Sequence, residues 1–490
     1  MEFLRLILIG ALLISMSAVF ARPVDVESNA PHRIKTLETG TAAMQARLEL
    51  IAKAETSIDV EYFIYHESDA ARIFTEALVK RKSEKPDIKI RIIVDHFALS
   101  KSLDNYIAHA LIAKGIEFKY YNDVMLLNLA RVSHRNHRKI LLVDRKEAII
   151  GGRNMGDEYY DLKTKYNFMD RDVLIDGPIA EAIGRSFDYF WESERTSVPR
   201  EPKFYPNLPR DKHQTTNMMR ERQHKKRLKV AAHFASVFDP ENEEDARLMK
   251  MREEFQRIGS RLLEAEPFYL VNNIRFLADG PDWKIAEHRY TGGVFYYMLE
   301  HASQSNVVLE MPYFYLQKAE EAVFKRLKER NVNVMLLLNA KKASNEYIVN
   351  YITLKEGLDF SRMGFDLFLN NGHYMKAEDL VVPENEESAL WMVHAKTMLI
   401  DHQYTWIGTL NMDPRSIQRL NAEMAVLIDD EDFNMAIRKH FLERLRYTSR
   451  VVNGKVVKDG VEHDPGAHEN LWDAIRSLNT IPFYLFENQI

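Results

Sequence analysis

Runs of β-branched, aliphatic and aromatic residues alternate along this chain with segments of helical period. In the first half the order is a helical segment Ala42 to Ala54, then Ser57-Ile-Asp-Val-Glu61-Tyr-Phe-Ile-Tyr. A helical pattern around Ala70–Lys82 follows, then Ile88-Lys-Ile-Arg-Ile-Ile-Val-Asp95, the segment Leu103–Lys114, and Ile116-Glu-Phe-Lys-Tyr-Tyr121. The second half repeats it: helix Tyr290–Ala302, strand Asn306-Val-Val-Leu-Glu310, helix Lys318–Arg330, strand Val332–Leu338, then Phe365–Leu369. Alternation of the two periods is the mark of an α/β layer structure, with helices flanking a mixed sheet. Its recurrence predicts two pseudo-symmetric lobes: an N-terminal one over 22–200 and a C-terminal one over 267–490. Between them, 201–266 is rich in charge and reads as a linker carrying solvated helices.

At 490 residues the chain exceeds one ordinary core, and two domains of roughly 200 residues are the natural expectation. A 46% hydrophobic and 28% charged composition fits a globular protein. The net charge of −5 speaks against a basic nucleic-acid binder, and the absence of cysteine excludes disulfides, thiolate metal sites and a thiol nucleophile. Arg5, the apolar run Leu6 to Phe20 and Val19-Phe20-Ala21 read as a secretory signal peptide over Met1–Ala21, with an uncleaved anchor as the alternative. The expected location is therefore exported, periplasmic or secreted.

Each half reaches the same eight-residue pattern, His137-Arg-Lys139-Ile-Leu-Leu-Val-Asp144 and His394-Ala-Lys396-Thr-Met-Leu-Ile-Asp401. Each copy is followed by Gly and Asn, in Gly151-Gly-Arg-Asn154 and Gly408-Thr-Leu-Asn411. On a strand, His and Lys two apart share a face. These residue types suit a phosphodiester. One imidazole, titrating near about 6.5, attacks phosphorus, and the other protonates the leaving oxygen. Two ammonium groups face the phosphoryl oxygens, and the amides of Asn154 and Asn411 add hydrogen bonds. One half cannot supply both imidazoles, so the duplication builds one site. No metal or other cofactor is expected. His134 and His137 form H-x-x-H, a spacing that suits a helical metal site better than a strand, and His402 reads as a surface residue.

These motifs resemble the phospholipase D superfamily. The likeness extends through Gly408-Thr-Leu-Asn411-Met-Asp413-Pro-Arg415-Ser416 and Asn421-Ala-Glu423, where Thr409 stands in the family's usual Ser position. Gly151-Gly-Arg-Asn154-Met-Gly156-Asp157, Asp170-Arg-Asp172 and Arg275-Phe-Leu-Ala-Asp279-Gly-Pro281 are similar to the bacterial cardiolipin synthase-like branch. The resemblance implies a metal-independent, two-step transfer with His137 as nucleophile and His394 as acid and then base. It assigns the phosphate to Lys139, Lys396, Asn154 and Asn411. Asp170 and Glu423, at matching places before strand-like segments, are candidates to orient the histidines. Asp144 and Asp401 belong to the motif and are expected to shape their own loops. Glu61 and Glu310 occupy equivalent strand positions as cleft wall or plain strand residues.

The expected substrate is a phospholipid at a membrane surface, by hydrolysis or transfer, and the expected state is a monomer because both motifs share one chain. The apolar segment Val124–Ala130 and the cations Arg131, His134, Arg135 and Arg138 suit either a membrane-dipping loop or internal packing. The run Arg220–Lys229 suits a solvated face or contact with anionic headgroups. A secreted nuclease and a non-catalytic membrane-binding protein are the competing classes. The intact motifs oppose the second, and their aspartates oppose a tyrosyl–DNA phosphodiesterase.

Overall fold

The computed structural model describes residues 24–97, 102–124, 134–202, 214–282, 284–285, 288–341, 343, 347–372, 375–417, 420–458 and 461–463. The segment Met1–Ala21, expected as a signal peptide, and nearly all of the apolar stretch 124–130 lie outside them. Among the described residues no helix is long and apolar enough to cross a membrane.

Two mixed sheets repeat one plan. In the first, Ser57–Tyr62 lies parallel to Lys89–Phe97, which lies parallel to Glu117–Val124. On its other side run Ile140–Val143, Glu147–Gly151, Asp172–Asp176 and His32–Leu37, each antiparallel to its neighbour. In the second, Asn306–Glu310 lies parallel to Asn333–Asn339 and that strand to Asp366–Asn370. Thr397–Ile400, Tyr404–Gly408, Met424–Asp429 and Asn273–Ala278 continue antiparallel on the other side. The predicted α/β duplication is thus the observed architecture.

The central strands are buried on both faces because both faces are covered; where one face carries charge, as Asp59 and Glu61 do in Ser57–Tyr62, it is ion-paired with Arg91 and Arg138. Outward, each sheet packs under helices. Gly40–Lys53 is capped by Thr39 and Asp69–Glu84 by Ser68, and the latter buries Ile73, Phe74 and Leu78. Inward, the two sheets share one core: Ile34, Ile140, Leu142 and Val173 of the first lobe pack with Val308, Leu399, Ile407 and Val426 of the second. Removing water from this common face joins the lobes and fixes where their strand ends meet.

The expected domain limits need correction at two points. The chain exchanges edges: Val24–Ser28 pairs with Asn273–Ala278 in the second sheet, while Tyr269–Val271 pairs with His32–Leu37 in the first. The segment expected as a linker is part of the first lobe. Its helix Glu243–Ala265 packs along Gly40–Lys53, and Leu248, Phe255 and Leu263 join that lobe's core. Buried Asp245 also pairs with Arg72.

Glu61 and Glu310 are both fully buried and ion-paired. Glu61 accepts from Asn136 (2.6 Å) and Arg138 (3.1 Å). Glu310 sits in a buried square with Arg171, Arg444 and Glu38 that spans the lobes. Burial pushes the Glu38 carboxyl up, but Arg171, His440 and Arg444 overcome this and hold it well below the usual range. Two guanidiniums and two carboxylates balance, which is the condition for keeping charge in a core.

Candidate active site

The two motif histidines meet at the lobe interface, and backbone pairing puts them there. Ala422 N–H donates to Arg135 O (2.8 Å), and His137 N–H donates back to Ala422 O (2.9 Å). In the other half Leu390–Val393 lies parallel to Tyr166–Met169, and His394 and Ala395 N–H both donate to Met169 O (2.8 and 3.1 Å). The residue after Ala422 is Glu423, and the residue after Met169 is Asp170. Each histidine is therefore placed against the carboxylate of the opposite lobe. His137 Nδ1 meets Glu423 Oε2 at 2.9 Å, and His394 Nδ1 is in close contact with Asp170 Oδ2.

This arrangement corrects one local expectation. The His and Lys of each motif do not lie in the regular strand, which begins at Ile140 and at Thr397, but on the extended segment just before it. That segment is free to pair across the interface instead of within its own sheet.

Lys139 Nζ donates to His137 O (2.7 Å) and Lys396 Nζ to His394 O (2.5 Å). Burial, and the charge of the other lysine, hold the Lys139 ammonium well below its usual value. Burial brings Lys396 down to about 8 against the pull of Asp170 and Glu423. Burial and the lysines also lower both imidazoles, His394 to about 3 and His137 well below its ordinary value. Both rings are thus neutral beside the two lysines. An anion entering here offsets the lysines and raises the imidazoles.

Among the described residues, buried His137 Nε2 and both amide atoms of Asn411 find no hydrogen-bond partner. A phosphoryl group offers the electrophile to His137 Nε2 and an acceptor oxygen to Asn411 Nδ2, and an alcohol hydroxyl offers a donor to Asn411 Oδ1. Asn154 is not the mirror image of Asn411. Its Oδ1 accepts from Ile64 N–H (3.2 Å) and its Nδ2 donates to the Tyr159 hydroxyl (2.8 Å), so it braces the wall. That wall is aromatic: Phe63 meets the His137 ring edge-on at 5.1 Å, and Tyr159 and Phe168 flank His394 at 5.3 and 4.9 Å.

The two carboxylates are held differently. Glu423 accepts from Thr409 Oγ1 (2.6 Å) and Ser416 Oγ (2.8 Å), and its N–H donates to Asp279 Oδ2 (2.9 Å). Burial pushes the Glu423 carboxyl up to about 7. Burial acts on Asp170 in the same sense, but Lys396 and His394 prevail and hold it below the usual carboxylate range. Gly152 makes room for Asp170: a Cβ there would stand 2.1 Å from Asp170 Oδ1.

Thr409, Ser416 and Asp279 stood within the motifs but drew no role from sequence. The legible signal was the hydroxyl, which Thr409 keeps where the family's usual residue is Ser. Thr409→Val is expected to lower turnover roughly tenfold, the scale of one lost hydrogen bond to a charged group. Thr409→Ser is expected to recover most of it; equal activity of all three proteins would show that the contact is idle.

Asp144 and Asp401 are a strand's length away from the histidines. Both adopt left-handed backbone, φ 52° and 50°. Asp144 accepts from Glu55, Thr56 and Ser57 N–H, and Asp401 from Gln304, Ser305 and Asn306 N–H. They tie down the entry to the first strand of each lobe rather than joining the reacting groups. His134 Nδ1 contacts Leu420 O at 3.2 Å while His137 Nδ1 is engaged by Glu423, so the H-x-x-H pair does not converge. Among the described residues no cluster of three or more His, Asp or Glu is arranged to hold a metal. His402 is exposed, beside Met435.

The family model for the cardiolipin synthase, phospholipase D-like domain matches residues 48–191 and 297–445, one stretch per lobe. The chain belongs to this family. It is 26% identical over 450 residues to an uncharacterized protein of Helicobacter pylori strain 26695, covering 88% of this chain and 84% of that one. It is 23% identical over 422 residues to cardiolipin synthase C of Escherichia coli K12, covering 83% of each. It is 24% identical over 412 residues to cardiolipin synthase A of Pseudomonas syringae pv. syringae, covering 83% of this chain and 67% of the relative. The fold matches phosphatidylserine synthase of Haemophilus influenzae Rd KW20 with a TM-score of 0.60 at 13% identity, over 96% of this chain and 98% of that one. Membership in the cardiolipin synthase-like branch of the phospholipase D superfamily accounts for the doubled motif and for the single site between lobes.

Proposed function

We propose that this protein is a phosphatidyltransferase that works through a phosphohistidine, with a phospholipid as donor. The observation that carries the reading is the pair of buried histidines, each backed by a carboxylate from the opposite lobe, with two lysines beside them. Similarity to cardiolipin synthases supports lipid as the substrate class.

His137 Nε2 attacks phosphorus, forming the P–N bond as the P–O bond to the first alcohol breaks. His394 acquires its proton when the anionic phosphodiester offsets Lys139 and Lys396, and it delivers that proton to the leaving oxygen. His394 then takes the proton of the acceptor alcohol. The acceptor oxygen attacks phosphorus and the P–N bond breaks, leaving His137 as it began. Lys139, Lys396 and Asn411 hold the phosphoryl oxygens, Asn154 braces the wall, and Asp170 and Glu423 keep each ring oriented. The reaction takes place at a membrane surface on an exported, monomeric enzyme that needs neither metal nor other cofactor.

The test is incubation of the purified protein, with chelator present, with phosphatidylglycerol, phosphatidylethanolamine, phosphatidylcholine or plasmid DNA, and mass spectrometry of the products. A phosphatidyl group moved to a second alcohol is the expected result. Cleavage of DNA alone, or dependence on added metal, would sink the proposal.

A further inference from the structure

The helix Gln214–Phe234 carries a surface that the catalytic site does not use. Its inner side packs on the first lobe through Ala231 and Phe234, and Arg227 ties it down by ion pairs to Glu67 and Asp104 (2.8 and 2.6 Å). Its outer side is a stripe. Met218, Arg222, Lys225 and Lys229 follow the i, i+4, i+7, i+11 spacing of one helical face, and all four are exposed. Lys226 flanks them, also exposed, while Arg220 is exposed on the opposite side of the helix. The one acidic residue among them, Glu221, is paired with Lys225 at 2.7 Å.

Two features set this face apart from an ordinary solvated one. It is strongly cationic on a chain whose net charge is −5. It also exposes Met218 near its centre at 54%, with Met219 at 66% and Leu228 at 47% on its two edges. The headgroup–acyl boundary of an anionic bilayer accommodates both kinds of group. The face also lies at the correct end of the lobe. Glu67 follows the strand whose end presents Phe63 to His137, and Asp104 caps the helix after the neighbouring strand.

We infer that the outer face of Gln214–Phe234 docks the enzyme on an anionic phospholipid surface, with its cations on the headgroups, Met218 at the acyl boundary and Met219 and Leu228 at the edges of the contact. The choice of lipid over another polyanion rests on the phosphatidyl substrate proposed above.

The test is co-sedimentation of the full chain with vesicles of phosphatidylcholine, with or without phosphatidylglycerol, beside the triple variant Arg222→Gln, Lys225→Gln, Lys229→Gln. Binding to the anionic vesicles is expected to fall with salt. Each cation near an anionic surface contributes roughly fivefold, so the triple variant should bind roughly 100-fold more weakly. A double variant, Met218→Ser with Met219→Ser, should also bind more weakly while keeping the salt dependence. Because these side chains are exposed, the circular dichroism and the turnover of detergent-dispersed lipid should match the parent. Undiminished vesicle binding by the triple variant overturns the inference. So does a loss of single-stranded DNA binding with vesicle binding intact, which marks the face as a nucleic-acid contact. If vesicle docking behaves as expected but no lipid is turned over, the proposed activity fails and this inference stands.

Discussion

His137→Ala should abolish turnover, with a loss of roughly 10⁴- to 10⁶-fold, the range reached when a covalent nucleophile is removed from a site that otherwise still binds. His394→Ala should behave differently. A phosphodiester with an activated leaving group, such as a p-nitrophenyl ester, needs no proton on the departing oxygen. The variant should therefore still form the P–N bond at His137 and then stall, because nothing is left to deprotonate the acceptor. Intact-mass and peptide analysis should find the adduct on His137 in the His394→Ala protein and no adduct in the His137→Ala protein. The pseudo-symmetry of the lobes makes the opposite assignment chemically sensible, so the location of the adduct decides it. An adduct on His394 would reverse the two roles. The orphaned Nε2 of His137, set against His394 with Lys396 Nζ lying 2.9 and 3.2 Å from its ring nitrogens, is the structural asymmetry behind the expectation.

Much of this site is written locally in the sequence. His, Lys and Asp recur at fixed spacing, and the parallel strands Asn306–Glu310 and Asn333–Asn339 announce themselves as apolar runs because both of their faces are covered. The pairing of histidine with carboxylate across the lobes is not written locally. His137 and Glu423 are 286 positions apart, and their meeting depends on the Ala422 backbone bridge, to which side-chain patterns are blind. The edge exchange of Val24–Ser28 and Tyr269–Val271 is hidden for the same reason, since any short extended segment can fill a sheet edge. The helix Glu243–Ala265 is another matter. Leu248, Phe255, Ile258 and Leu263 form a buried stripe at helical period, but the dense charge on its other faces made the segment read as solvated throughout. Asp144 and Asp401 carry a further lesson. A motif residue can recur because it closes a turn in each copy, and the backbone N–H groups it collects belong to a loop some 90 positions away in the chain.

Glu423→Gln should cost roughly 10⁴-fold in kcat/KM at neutral to alkaline pH, the scale on which a histidine held in the wrong tautomer loses its function. An ionised Glu423 accepts the Nδ1 proton of His137 and leaves the Nε2 lone pair facing the phosphate. A glutamine amide donates to Nδ1 instead, so the ring proton moves to Nε2 and the lone pair is lost. The same reasoning sets the pH profile of the unmodified protein. Burial brings the Glu423 carboxyl up to about 7. Below that pH the carboxyl is protonated, donates to Nδ1 and disarms His137; above it the carboxylate accepts and arms the ring. The value of kcat/KM, which reports groups of the free enzyme, should therefore rise with pH through about 7 and fall again above about 8, where Lys396 loses its charge. Asp170 is held ionised well below this range, so it contributes no such limb, and Asp170→Asn should lower activity without moving the inflection. In Glu423→Gln the rising limb should vanish together with the activity, while Glu423→Asp, which restores an ionisable group, should bring the limb back. A rising limb that persists unchanged in Glu423→Gln would assign the titration to another group and remove Glu423 from control of the nucleophile.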